Sequence, residues 1–338
     1  MEALSTLSII VDASDQAGEA RRTAASLAAT LGFDSTETGR VALVVTECAS
    51  NLVKHGRGGE ILLSVIEGAK GSGIEVFALD KGPGMRNMAQ CFEDGFSTAG
   101  TPGGGLGAVA RLSSHCDVYT QEGEGTALLA RFWKNPQAKS SEIERFEVGG
   151  VSVAKPGEEA SGDAWAAYQT PEFLNVLVVD GLGHGLGAAR SAQAAIEAFR
   201  ASPEEEPASL MQSLHQALRA TRGAAAAVAR IDAAANQLRF AGVGNISGTV
   251  YSSGGSRQMV SLPGIVGSRI TSVREFTFPW SADATLLLYS DGLSTHWSLE
   301  SYAGLLSHDV SLIAGTLYRD WKRGHDDATV VLAREIMR

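Results

Sequence analysis

The spacing of apolar positions splits the chain into a first half where long helices lead and a second half dominated by short strands. Ala17 to Leu31 is alanine-rich and predicts a helix. Asp34-x-x-Glu37 reads as a capping box that opens a second helix running to about His55, with Gly56 as its stop. Val41, Val44, Val45, Cys48 and Leu52 supply its buried side. Strands are predicted at Glu60 to Ile66, Ile74 to Leu79, Cys116 to Gln121 and Thr126 to Phe132. Beyond them come Gly149 to Ala154, Ala164 to Tyr168, Leu174 to Val179, Ala224 to Ile231 and Gln237 to Ala241. Thr249 to Ser252, Val273 to Phe278, Thr285 to Tyr289 and Ala328 to Ala333 complete the series. Two helices, about Ala188 to Arg200 and Pro207 to Thr221, interrupt these later strands.

This order predicts an α+β protein. The first half reads as helices on one face of a mostly antiparallel sheet, and the second as two sheets face to face with helices outside. The polar run Asn135 to Glu142 (NPQAKSSE) marks the linker, so the expected partition is residues 1–134, a linker at 135–144, and residues 145–338. A length of 338 residues and 44% hydrophobic content suit two such cores. A formal charge of -10 argues against a nucleic-acid or anionic-membrane surface. Cys48, Cys91 and Cys116 lie far apart and read as reduced thiols of a cytoplasmic protein. No long apolar span and no basic-then-apolar start appears, so neither a membrane helix nor a signal peptide is expected.

Candidate chemistry in the first half begins on the second helix. Glu47 and Asn51 are four apart and share a face, which His55 continues. Asp80-x-Gly82-x-Gly84 follows an apolar strand, and Gly103-Gly104-Gly105-Leu106-Gly107 precedes a segment able to start a helix. Glycines before a helix N-terminus leave backbone N–H groups free for an anion. An Asn oxygen can ligate Mg²⁺, an Asp can accept a hydrogen bond from an exocyclic amine, and a Glu can take a proton from an attacking hydroxyl. Each piece alone is also an ordinary helix face, turn or loop; the ordered set is what points to chemistry.

That set resembles the GHKL (Bergerat-type) ATPases, and within them the RsbT-like switch-protein serine kinases. Glu47-x-x-x-Asn51-x-x-Lys54-His55 looks like the N box, Asp80-x-Gly82-x-Gly84 like the first glycine box and Gly103 to Gly107 like the second. Asp94 to Thr98 and Glu124-Gly125-Thr126 are also similar. Covering roughly residues 5 to 133, the resemblance implies that Asn51 holds Mg²⁺, Asp80 reads adenine and Glu47 is the base, with residues 85 to 105 as a short lid over ATP. It implies a STAS-type antagonist protein as substrate and leaves homodimerisation open. No phosphoacceptor-His domain is read, which argues against a two-component sensor kinase.

In the second half, Asp180-Gly181-Leu182-Gly183-His184-Gly185 directly follows the apolar run Leu174 to Val179. A carboxylate at a strand end followed by alternating glycines lets the backbone turn tightly beside a ligand or metal. Asp163, Asp291 and the pair Asp326-Asp327 sit in similar strand-end or turn contexts, and the Gly181 carbonyl can add a backbone oxygen. An all-oxygen set of this kind suits hard divalent cations that activate water for phosphate-ester hydrolysis. His184 reads as a turn residue, since no Cys/His spacing supports zinc, and no Cys-x₅-Arg loop supports a covalent thiol mechanism.

This half resembles the metal-dependent Ser/Thr phosphatases (PPM family) in the SpoIIE/RsbX branch. The carrying motifs are Ser161-Gly162-Asp163, the Asp180 run, Gly242-Val-Gly244-Asn245, Pro263-Gly264 to Gly267, Ser290-Asp291-Gly292 and Asp326-Asp327-Ala-Thr329. Over about residues 145 to 335 the resemblance implies an αββα β-sandwich and two Mn²⁺ or Mg²⁺ ions, with Asp180 bridging them. Either Asp326 or Asp327 is the ligand; motif alignment favours Asp326.

Together the halves predict a bifunctional partner-switching regulator. One domain phosphorylates a Ser or Thr on the antagonist, and the other hydrolyses phosphoserine or phosphothreonine on the same or a related protein. Two other readings stand beside it: a phosphatase gated by a catalytically silent ATP-binding module, and a non-enzymatic binder that sequesters a sigma factor. A downstream phosphatase is a further partner class.

Overall fold

The computed structural model describes residues 2–68, 71–91, 105–134 and 144–336. The expected linker 135–142, Asp94 to Thr98, Gly103 and Gly104 lie outside these residues. The chain divides into two compact units, neither continuous in sequence. One comprises Thr6–Ser140 with Leu299–Asp320; the other comprises Met1–Ser5, Ser141–Ser298 and Trp321–Arg338.

The N-terminal unit takes most of β1 (Glu2–Val11), then α1 (Ser14–Thr30), α2 (Ser35–Lys54), β2 (Gly59–Gly68) and β3 (Gly71–Asp80). A short α3 (Met88–Cys91), α4 (Gly105–Leu112), β4 (His115–Gln121) and β5 (Gly125–Trp133) follow. The sheet order is β1-β2-β3-β5-β4, and the β2-β3, β3-β5 and β4-β5 pairs are antiparallel. The capping box forms as expected: Asp34 Oδ1 accepts the Glu37 N–H at 2.8 Å and Glu37 Oε2 accepts the Asp34 N–H at 2.9 Å. The stripe Val41, Val44, Val45, Cys48 and Leu52 is buried against Ile61, Leu63, Ile74, Val76 and Leu128 of the sheet. β1 was not among the expected strands.

The opposite sheet face is also covered, by residues from far along the chain. Helix α7 (Val310–Trp321) is a second element absent from the sequence-based expectations, and every residue from Val310 to Arg319 is buried. A Cβ on its Gly315 would touch Phe77 at 2.9 Å, so the glycine lets the helix approach β3 closely. Leu62, Phe77 and Leu129 are direct cross-strand partners on that face, and each is fully buried. Polar pairs flank them. Arg131 reaches Glu75 at 2.6 Å, Asp309 at 2.6 and 2.8 Å, and Ser311 at 2.8 Å. Tyr318 Oη donates to Glu60 at 3.0 Å, and the Asp309 N–H donates to Asp117 at 2.8 Å. Lys81 Nζ donates to the Asp320 carbonyl at 3.4 Å.

The C-terminal unit contains β6 (Phe146–Val153), β7 (Asp163–Gln169), β8 (Phe173–Gly181), α5 (Leu186–Ala201), α6 (Pro207–Ala217) and β9 (Ala224–Asp232). β10 (Gln237–Val243), β11 (Ser247–Ser252), β12 (Gly255–Met259), β13 (Gly264–Ile265) and β14 (Arg269–Ile270) follow. β15 (Phe276–Pro279), β16 (Thr285–Tyr289) and β17 (Ala328–Glu335) end the series. β15 starts three residues later than the expected Val273, and β12 to β14 were not expected. One set of strands runs β12-β11-β16-β17-β6 and the other β7-β8-β9-β10-β15. Their facing side chains form one core that includes Phe146, Trp165, Val178, Phe240, Leu288 and Val331. β9 shows why it is alanine-rich. Ala225, Ala227 and Ala229 face this core, while Ala224, Ala226 and Val228 face α5 and α6, so small side chains are needed on both sides. Among the described residues no helix is long and apolar enough to cross a membrane.

Candidate functional site

The N-terminal unit carries its candidate site where α2 ends and β3 ends. Glu47 and Asn51 are half-buried on α2, one turn apart. Below them the Asn51 carbonyl accepts the N–H groups of His55 and Gly56, closing the helix. A Cβ on Gly56 would sit 2.8 Å from the Asp80 Cβ, so this glycine lets the helix end approach Asp80. Asp80 Oδ1 accepts the N–H of Gly82 at 2.8 Å and of Thr126 at 3.2 Å. Burial pushes the Asp80 carboxyl up, and these two amides offset part of that shift. Both amides bind the same oxygen, which fixes the carboxylate plane and leaves Oδ2 for a further donor. Gly82 has no room for a side chain against the Gly56 carbonyl, and Gly84, at φ +67, has none against the Gln121 carbonyl. Gly105, Leu106 and Gly107 form the first turn of α4.

In the C-terminal unit the paired strands β7 and β8 place Asp163 directly opposite Asp180. Asp163 is 4% exposed; its Oδ2 accepts the Ser290 hydroxyl at 2.6 Å, and Ser290 in turn accepts the Thr329 N–H at 2.9 Å. Burial and then the Asp180 charge push the Asp163 carboxyl well up. Asp180 is pushed up to about 7, first by burial and then by the charges of Asp291, Asp326 and Asp327. Asp291 follows β16 and Asp326 precedes β17, and the charges of both are felt by Asp180 in β8. Asn245 Nδ2 holds Asp291 Oδ2 at 2.7 Å.

Gly162 and Gly181 allow close packing under these carboxylates. Gly181 donates to the Gly162 carbonyl at 2.9 Å, and a Cβ on either would strike Ala188 of α5. Asp326 and Asp327 differ in their surroundings. Asp327 is buried, and its two oxygens accept the N–H groups of Lys155 at 2.7 Å and Gly162 at 2.8 Å. Asp326 is partly exposed and accepts only the N–H of Asp327, at 3.0 Å, among the described residues. His184 pairs with Glu158 at 2.5 Å and takes no part in the carboxylate group. Sequence reasoning named Ser290 only as part of the Asp291 motif and did not single out Glu158 or Arg222, whose guanidinium lies against Gly183 and Gly187. Only the fold brings Glu158 and Arg222 beside the Asp180 turn.

The donors here are hard oxygens, and their mutual repulsion is the signature of a group short of positive charge. Both properties fit Mg²⁺ or Mn²⁺. Among the described residues no three or more His, Cys, Asp or Glu side chains are grouped closely enough to hold a metal ion.

Known proteins show the same two parts. The histidine kinase-like ATPase domain family matches residues 10–132, and the stage II sporulation protein E (SpoIIE) family matches residues 171–335. The serine/threonine-protein kinase RsbT of Bacillus subtilis is 32% identical over 114 residues, which is 34% of this chain and 86% of RsbT. The phosphoserine phosphatase RsbX of the same organism is 26% identical over 141 residues, covering 41% of this chain and 71% of RsbX. A crystal structure of RsbX with magnesium superposes with a TM-score of 0.50 at 22% identity, covering 58% of this chain and 98% of that one. The chain thus belongs to the RsbT family through its histidine kinase-like ATPase domain, and a SpoIIE-type PP2C phosphatase domain follows that domain in sequence.

Proposed function

We propose that this chain is a bifunctional partner-switching regulator that writes and erases phosphate on a STAS-type antagonist protein. The observation that carries the erasing half is the carboxylate group around Asp180, with Asp163 in register beside it and the Asp180 carboxyl pushed up to about 7 by burial and then by the charges of Asp291, Asp326 and Asp327. Asp163, Asp180, Asp291, Asp326 and the Gly181 carbonyl are the proposed metal ligands. Two bound Mn²⁺ or Mg²⁺ ions would supply an activated water and offset charge on the phosphoryl oxygens. Asp180 sits at the centre of the negative charge, which suits it to bridge. Asp327 has both oxygens on backbone amides and braces the Gly162 loop against the loop that carries Asp326. Asn245 and Ser290 orient Asp291 and Asp163 from outside.

The writing half rests on Asp80, whose fixed carboxylate can accept from the adenine amine, and on the Glu47/Asn51 face of α2. Asn51 would hold the Mg²⁺ of ATP, Glu47 would take the proton of the substrate hydroxyl, and the amides opening α4 would face the phosphates. Joining both activities in one chain keeps each at high effective concentration near a shared substrate.

The test uses the full chain. With Mn²⁺ it should dephosphorylate a phosphorylated STAS antagonist, and Asp180→Ala or Asp291→Ala should abolish this while the protein stays folded by circular dichroism. Unchanged hydrolysis in both variants refutes the site. The Asp180→Ala chain, unable to erase, should transfer label from γ-labelled ATP to the antagonist. Measurable ATP binding without transfer would replace the kinase half with the reading of a nucleotide-gated phosphatase.

A further inference from the structure

Arg222 immediately precedes Gly223, whose carbonyl accepts the Leu182 N–H at 3.0 Å. The next residues, Ala224 and Ala225, pair in register with Gly181 and Asp180. The backbone of Arg222 is therefore tied to the same turn that presents Asp180. Its guanidinium lies across that turn: a Cβ on Gly183 would come within 3.4 Å of Nη1, and one on Gly187 would collide with Cζ and Nε. The two glycines leave the volume that the guanidinium fills. Arg222 is exposed and takes part in no ion pair or hydrogen bond among the described residues, although several carboxylates lie on neighbouring loops. Gly187 is in the first turn of the sixteen-residue helix α5, whose N-terminal end also repels a cation. An arginine in this position gains nothing for the fold from its charge. Beside it, Leu182 on the turn after Asp180 is 40% exposed, and Leu186, the first residue of α5, is 65% exposed.

We propose that Arg222, Leu182 and Leu186 form the substrate-recognition rim of the phosphatase site. Arg222 takes two phosphoryl oxygens of a phosphoserine or phosphothreonine as a bidentate donor, and the leucines take an apolar side chain next to that residue on the protein substrate. The planar fork on one side and the apolar surface on the other select a phosphorylated protein over a free phosphate ester. This proposal rests on the phosphatase reading above.

The experiment uses the full chain loaded with Mn²⁺. It measures KM and kcat on the phosphorylated antagonist and on p-nitrophenyl phosphate, and the affinity for inorganic phosphate by calorimetry. Arg222→Ala should weaken phosphate binding at least tenfold and raise KM for both substrates, with partial recovery in Arg222→Lys. Leu182→Ser with Leu186→Ser should raise KM for the phosphoprotein by a larger factor than for p-nitrophenyl phosphate. Mn²⁺ affinity should stay within twofold in each variant, separating this role from damage to the metal ligands. Unchanged phosphate affinity and KM in Arg222→Ala overturns the proposal while hydrolysis by the parent chain stands. Absence of hydrolysis in the parent chain instead sinks the phosphatase reading, and the phosphate titration still decides Arg222.

Discussion

Arg131 on β5 and Asp309 at the start of α7 form a two-pronged ion pair, Nη1 to Oδ2 at 2.6 Å and Nη2 to Oδ1 at 2.8 Å, across 178 positions of sequence. Both side chains are largely buried, at 13% and 6% exposure, and Glu75 closes the group on the other side of the guanidinium. Removing one partner strands the other charge inside the protein, whereas removing both does not.

Asp309→Ala is therefore expected to lower stability by about 3–5 kcal/mol in urea denaturation. Arg131→Met with Asp309→Leu should cost less than the sum of the two single changes. Burial pushes the Asp309 carboxyl up, but the bond from His115 and the charge and bonds of Arg131 outweigh this and hold it well below the usual range. A depressed carboxyl stabilises the fold above its unfolded value and loses that contribution on acidification. Stability should thus fall as pH drops below about 4, and Asp309→Asn should flatten that slope.

Asp180→Asn tests the carboxylate group through stability. The carboxyl is raised to about 7, so in the metal-free protein it favours folding below its unfolded pKa and loses that contribution as pH rises toward and through 7. In EDTA at pH 8, Asp180→Asn should raise Tm, by at most about 4 kcal/mol of stability. Added Mn²⁺ should stabilise the parent chain, and the variant should lose most of that gain. A variant that melts lower than the parent in EDTA contradicts the charge repulsion.

Gly292 tests the neighbouring loop. A Cβ there would overlap the Asp327 carbonyl oxygen and crowd Ala328. Gly292→Ala should displace the Asp326-Asp327 turn and weaken Mn²⁺ binding more than tenfold by calorimetry, with no loss of ATP binding.

Asp80→Ala tests the nucleotide site. It removes the acceptor that the Gly82 and Thr126 amides orient. ATP affinity, measured by titration of the full chain, should fall at least tenfold, and Mn²⁺ affinity should not change.

Much of this architecture is legible in the sequence because local signals agree with the fold. The Asp34/Glu37 box, the α2 stripe and the alternating β2, β3 and β5 segments each report their own surroundings. The carboxylates are legible for a similar reason, since Asp163, Asp180 and Asp291 each sit at a strand end beside glycine. Helix α7 is not legible. Its Gly315 looks like a breaker, whereas in the fold it is the contact with Phe77. Asp326 and Asp327 are identical as letters, and the motif order alone favours Asp326; their different surroundings, with the Lys155 and Gly162 amides on Asp327, come from the fold. Arg222 carries no local signal at all, because its meaning comes from two glycines nearly forty positions back.

The excursion of residues 299–320 into the N-terminal unit bears on how this chain can be inherited and cut. These residues lie between Asp291 and Asp326, inside the stretch that matches the phosphatase family, yet they complete the core of the kinase-like unit. A fragment ending at residue 140 would bare Leu62, Phe77 and Leu129 and leave Arg131 without Asp309. A gene truncated at the polar run would encode a protein prone to aggregate. Recombination that swaps one half for a homologue would have to carry this segment with the wrong half. The two domains are thus bound to descend together as one unit of selection.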